Sequence, residues 1–161
     1  MEIKYPFKPK TNKFLTPGQF WAIPLQNEKF ACGRVIQVTK SYMASPTKTF
    51  LAGLMDWVGD APPKSEDIAE KKTLIQGVAH IKAIHETGLQ EMIIGYRPLE
   101  IDFIEPDYFR SQTGYQPEYC KLMKGLVELR PITKSEWELY PTLGAWGTDY
   151  IRQFAEIKLL R

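Results

Sequence analysis

Residues 18–38 read GQFWAIPLQNEKFACGRVIQV, two apolar runs around a short polar break, and no other stretch constrains the fold as much. In the first run Phe20, Ala22 and Pro24 alternate with Trp21, Ile23 and Leu25, so an extended chain here is apolar on both faces. A strand of that kind needs cover on both sides, unlike one that alternates apolar with polar. Residues 26–29 (QNEK) have the length of a four-residue hairpin turn. The second run puts Phe30, Cys32, Arg34, Ile36 and Val38 on one face and Ala31, Gly33, Val35, Gln37 and Thr39 on the other. Pro24 cannot donate to a ladder and belongs at an edge, a strand end or a bulge. Gly33, inside a strand, marks a bulge, a bend or the close approach of another group. A proline-limited strand followed by a glycine bend predicts a small sheet that curls.

Further strands are predicted at TFLAGLMDWVG (49–59), TLIQGVAHI (73–81), LQEMIIGY (89–96) and KGLVELRPI (124–132). Ser65 and the acids after it predict a short helix over 66–72, and HIKAIHETG (80–88) a helical turn stopped by Gly88. Thr133 and Glu136 match a capping box ahead of another short helix. Tyr150, Ile151, Phe154 and Ile157 recur near helical spacing in the tail. The segment RPLEIDFIEPDYFR (97–110), between prolines, reads as extended chain and loop. The expected fold is mainly β, at the margin of α+β. It is a strongly bent antiparallel sheet or a small partly open barrel of about five or six strands, with two or three short helices including one at the C-terminus. Residues 1–161 read as a single domain, with an irregular basic lead-in (1–15), a β core (16–131) and a helical C-terminal segment (132–161).

The net charge of +2 gives no strong pull toward nucleic acid or anionic membrane. It is unevenly spread. Residues 1–50 carry eight Lys/Arg against two Asp/Glu, and residues 51–118 six against twelve. The two cysteines, Cys32 and Cys120, are far apart and in no metal or redox spacing, which suits reduced, buried thiols. The segment MEIKYPFKPK lacks the apolar core of a signal peptide, and no run approaches the roughly 20 apolar residues of a membrane helix. A soluble, cytoplasmic protein is expected.

Few constellations point to catalysis. His80 and His85 are five apart, not the four of a helical metal pair, and no metal or cofactor is predicted. Cys32 sits in a strand without a nucleophile elbow, and Ser41 and Ser45 fall in a predicted loop. The glycines of GAWG (144–147) lack the lysine and helix start of a phosphate cradle. Glu100, Asp102, Glu105 and Asp107 cluster in LEIDFIEPD; in extended chain Glu100 and Asp102 share a face. An acidic recognition patch, a carboxylate pair and a solvated rim all fit that cluster. The basic lead-in interleaves Tyr5 and Phe7 with lysines, which suits single-stranded nucleic acid or, as the preferred reading, an arm laid across the barrel. A small-molecule binder or hydrolase would place its pocket inside the barrel, with Trp21, Trp57, Trp137 and Trp146 as candidate lining.

The stretch PGQFWAIPLQNEKFACGRVI resembles the start of the bacterial Immunity protein 26 family, linked to polymorphic toxin systems. Gly18, Phe20, Ile23, Pro24, Leu25, Phe30, Gly33, Arg34 and Val35 stand at the pattern's positions, and MIIGYRPLE with IEPDYF resembles a second block through Gly95, Pro98 and Pro106. The resemblance spans residues 14–110. It implies an immunity (antitoxin) protein that binds and neutralises a cognate toxin, encoded by a neighbouring gene, without catalysis. Some relatives carry a phosphotriesterase name; such hydrolysis needs several His and carboxylates converging on metal, a set this sequence lacks. On the binding reading, Glu100, Asp102, Glu105 and Asp107 form the partner-binding patch, with Tyr108 and Phe109 as aromatic anchors.

Overall fold

The computed structural model describes residues 2–38, 47–112, 114–116 and 118–160. Ser41 and Ser45 lie outside the described residues. Five strands form one antiparallel sheet in the order β4-β3-β2-β1-β5: β1 (Gln19–Pro24), β2 (Phe30–Gln37), β3 (Thr49–Gly59), β4 (Thr73–His80) and the two-residue β5 (Gly95–Tyr96). Both faces are covered, as the two-sided apolar pattern of β1 requires. Trp21, Ile23, Val35, Phe50, Leu54 and Ala79 line one face, packed beneath α1 (Lys82–Thr87) and α2 (Tyr150–Leu159) through Ala83, Ile84, Ile151 and Ala155. Phe20, Cys32, Ile36, Leu51 and Met55 line the other, covered by Phe109, Met123 and Leu126. Those three come from, or lie next to, a second antiparallel sheet of β6 (Tyr108–Arg110), β7 (Lys121–Lys124) and β8 (Val127–Pro131).

A short segment ties the two sheets together. Val78 on β4 donates its N–H to Gly144 O (2.9 Å) and accepts from Trp146 N–H (2.7 Å). Arg110 on β6 donates to Pro141 O and accepts from Leu143 N–H, both at 2.8 Å. The result is a bent, mainly β structure, and among the described residues no barrel closes.

Glycine and aromatic residues are matched across this sheet. Trp21 pairs with Gly33, and a Cβ on Gly33 would overlap the indole ring. Gly33 therefore makes room for a side chain, and a register shift between Ala31 and Gly33 adds the bend. Trp146 covers Gly77 and Phe20 covers Gly95 in the same way. A second register shift between Val35 and Gln37 overturns the simple alternation. Gln37 turns toward the small sheet, where its Oε1 accepts Leu126 N–H at 2.7 Å, and Val38 packs with the Trp21 cluster instead.

Other local expectations are corrected. The predicted strand over 124–132 is the turn and second arm of a hairpin, β7–β8, whose two-residue turn carries Gly125 at φ +58°. The predicted strand over 89–96 shrinks to Gly95–Tyr96, because Gln90 and Glu91 take positive φ and Ile93 bridges to Phe7 instead. The helix over 66–72 is a single 3-10 turn, Ser65–Ile68, ended by Glu70 at φ 64°. Its cap is Lys64, whose N–H donates to the Asp67 carboxylate at 2.9 Å, so Ser65 has no capping role. Thr133 and Glu136 do bond to each other, but they precede a 3-10 turn, Trp137–Leu139. Tyr5 and Phe7 of the lead-in are partly buried and pack against the helix-covered core.

Candidate functional site

The acidic segment 97–109 is held by a buried network that begins in β2. Arg34 is fully buried, and among the described residues it forms no salt bridge. Its Nε donates to Gly18 O (3.2 Å) and a terminal nitrogen to Arg97 O (2.5 Å). Burial lowers its pKa, opposed by the field of Cys32 and then of Asp102. Gly18, at φ +106°, accepts Arg97 N–H at 3.0 Å, and a Cβ there would lie 2.6 Å from Arg97 O. The Arg97 side chain then grips Asp102, with Nε to Oδ2 at 2.7 Å and a terminal nitrogen to Oδ1 at 3.0 Å. Asp102 also accepts Glu70 N–H at 2.8 Å through its carboxylate, and Lys72 Nζ at 2.8 Å through its carbonyl. The Arg97 hydrogen bond holds the Asp102 carboxyl below the usual aspartate value, against the opposing effect of burial.

The structure divides the six residues singled out from sequence. Glu100, Glu105, Asp107 and Tyr108 reach the surface, whereas Asp102 and Phe109 are buried. Glu100 and Asp102 do not share a face of extended chain, because Leu99–Asp102 is a 3-10 turn. Glu105 pairs with Lys124 at 3.1 Å, and Lys124 Nζ lies 5.5 Å from the Tyr108 ring centroid. Gln76 clamps the next stretch to β4: its Nε2 donates to Glu105 O (3.0 Å) and its Oε1 accepts Asp107 N–H (2.8 Å).

Two residues that sequence reasoning passed over dominate the surface here. Phe103 is 84% exposed and Ile101 is 56% exposed. Phe103 caps the 3-10 turn at φ 57°, ψ 39°, a left-handed conformation uncommon for an aromatic residue. The available signal was two apolar residues set among acids between Pro98 and Pro106.

Beside this segment lies a cleft of about 480 Å³ between β4 and β6, lined among others by Leu74, Gln76, Asp107, Phe109, Trp146 and Tyr150. Asp107 is exposed, yet the crowding of the cleft wall removes part of its hydration and raises its carboxyl above the usual value. The cleft sits at a sheet edge, and the interior is packed. The tryptophans share no pocket: Trp21 is buried with Nε1 donating to Thr87 Oγ1 (3.2 Å), Trp57 packs on the opposite face, Trp137 stacks on Arg110 at 3.4 Å, and Trp146 faces the cleft. Burial pushes the Cys32 thiol up to about 12, far from a reactive thiolate. His80 Nδ1 accepts Lys82 N–H at 3.0 Å and His85 Nε2 meets Pro9 O at 2.5 Å, so both rings serve local structure.

A family model described as Immunity protein 26 matches residues 16–121, more than half of the chain. The chain belongs to that family. Comparison with curated proteins and with solved structures gives no match. The immunity-family motif acquires a physical role from the network above. Gly18 and Arg34 bind the backbone of residue 97, and through Arg97 they fix the acidic segment. Gly33 accommodates Trp21 in the strand that carries Arg34. The motif is thus a support, one layer beneath the surface it positions.

Proposed function

We propose that this protein neutralises a cognate bacterial toxin domain by binding it, without catalysis. The observation that carries this reading, beside family membership, is the acidic segment 97–109. The ion pair of Arg97 with the buried Asp102 and a side-chain clamp hold it rigid while Glu100, Phe103, Glu105, Asp107 and Tyr108 stay in water. A rigid loop loses little entropy on docking, so its contacts translate efficiently into affinity. Glu100, Glu105, Asp107 and Tyr108 form the contact surface, with Asp102 and Phe109 as its supports. Exposed carboxylates suit a basic partner such as a nuclease, which they steer and whose phosphate sites they mimic. The free thiols of Cys32 and Cys120 accord with a cytoplasmic protein that acts where its toxin is made.

Co-expression with the product of the neighbouring toxin gene tests the reading. Protected growth and co-purification are expected. A toxin that kills regardless, or that fails to co-purify, overturns it.

A further inference from the structure

We propose that Phe103, assisted by Ile101, is the anchor of this interaction and enters an apolar pocket with a basic rim on the toxin. The inference rests on the binding function proposed above and names what that surface recognises.

Phe103 has the highest exposure among the exposed large hydrophobic residues of the described chain, at 84%. Its backbone is left-handed, a conformation that glycine adopts freely and that costs an aromatic residue free energy. Packing does not return that cost, because the ring stands in water; Lys72 Nζ lies 5.9 Å from its centroid. The loop is not loose either. Phe103 N–H bonds to Glu100 O (3.2 Å) and Ile104 N–H to Leu99 O (3.1 Å), between the buried Leu99 and Ile104. Asp102, the adjacent residue, is locked by Arg97 and Glu70. The fold thus holds an aromatic residue rigidly outward where glycine would be more stable, the mark of a residue kept for contact.

The rim of the partner follows from charge. Outside the Arg97–Asp102 pair, the two loops that Asp102 joins, 64–72 and 97–105, carry five carboxylates (Glu66, Asp67, Glu70, Glu100, Glu105) against three lysines, and Glu105 is paired with a fourth lysine, Lys124. An apolar tip within an acidic surround fits an apolar pocket within a basic one.

The test compares wild type, Phe103→Gly, Ile101→Ser and, on α2 over the opposite face of the large sheet, the similarly exposed Ile157→Ser for urea midpoint and for affinity to the neighbouring-gene toxin. Phe103→Gly is expected to raise the urea midpoint while weakening binding roughly tenfold or more. Ile101→Ser should weaken binding less, Ile157→Ser should not, and wild-type affinity should fall as salt is raised. Undiminished binding by Phe103→Gly overturns the anchor and leaves the immunity reading standing. A lowered urea midpoint for Phe103→Gly also overturns it, since the ring would then be a packing residue. Salt-independent affinity overturns the basic rim. Failure of the wild type itself to bind overturns the function and the anchor together.

Discussion

Gly33 and Gly77 both lie under an indole, but the two rings are held differently. Trp21 over Gly33 is fully buried and makes an edge contact to Phe50, with ring centroids 6.0 Å apart. Trp146 over Gly77 is half-buried at the cleft, its ring centroid 5.3 Å from that of Tyr150. Gly33→Ala should therefore cost about 1–3 kcal/mol and Gly77→Ala distinctly less, read from urea midpoints. Asp102 is the other decisive residue. Replacing it by Ala leaves the partly exposed Arg97 without its partner and Glu70 N–H without its acceptor, and should cost about 1–3 kcal/mol. The pH dependence has a definite sign. The folded state holds the Asp102 carboxyl below its ordinary value, so its contribution is complete above the unfolded pKa of about 3.9 and is lost as pH falls through the lower folded value. The gap in urea midpoint between wild type and Asp102→Asn should thus be widest near neutrality and close in acid.

At the scale of elements, the two sheets meet through side-chain packing and one short segment. The small sheet docks through Phe109, Met123 and Leu126, through the 141–146 segment and through Gln37 Oε1 on Leu126 N–H. Gln37→Ala leaves that N–H without its acceptor and should destabilise by about 1–3 kcal/mol. Hydrogen exchange provides the sharper measurement: amides of β7 and β8 should exchange faster than those of β2 and β3. Uniform acceleration across both sheets would mean that they unfold as one unit.

For the whole molecule, a five-stranded sheet lies between two helices and a smaller sheet. Its central hairpin is linked to the acidic segment through Arg34, Arg97 and Asp102. The charge reversals Glu100→Lys and Glu105→Lys should slow association with the toxin more than they speed dissociation, because exposed rim charges act chiefly on encounter. Stopped-flow binding distinguishes the two rates. Equal effects on both would place these carboxylates in the buried centre of the interface.

What the sequence determined by itself was local in cause. Two-residue periodicity, apolar on both faces, identified β1 and β2 and required cover on both sides. Similar runs located β3 and β4, and helical spacing located α2. The family motif was readable as residues before any of its contacts were visible. Short elements were not readable, because a three-residue β6 and a two-residue turn at Gly125 leave too few positions to establish a period. Only the tertiary structure decided which members of the acidic segment face water. Asp102 and Glu100 are chemically alike, and nothing in their spacing tells that one is buried against Arg97 and the other is wet. The outward, left-handed Phe103 depends on contacts from Arg97, Glu70 and Lys72, the latter two about 30 residues away in the chain. Side-chain exposure is set by such long-range contacts, whereas strand identity is set by neighbours two residues apart.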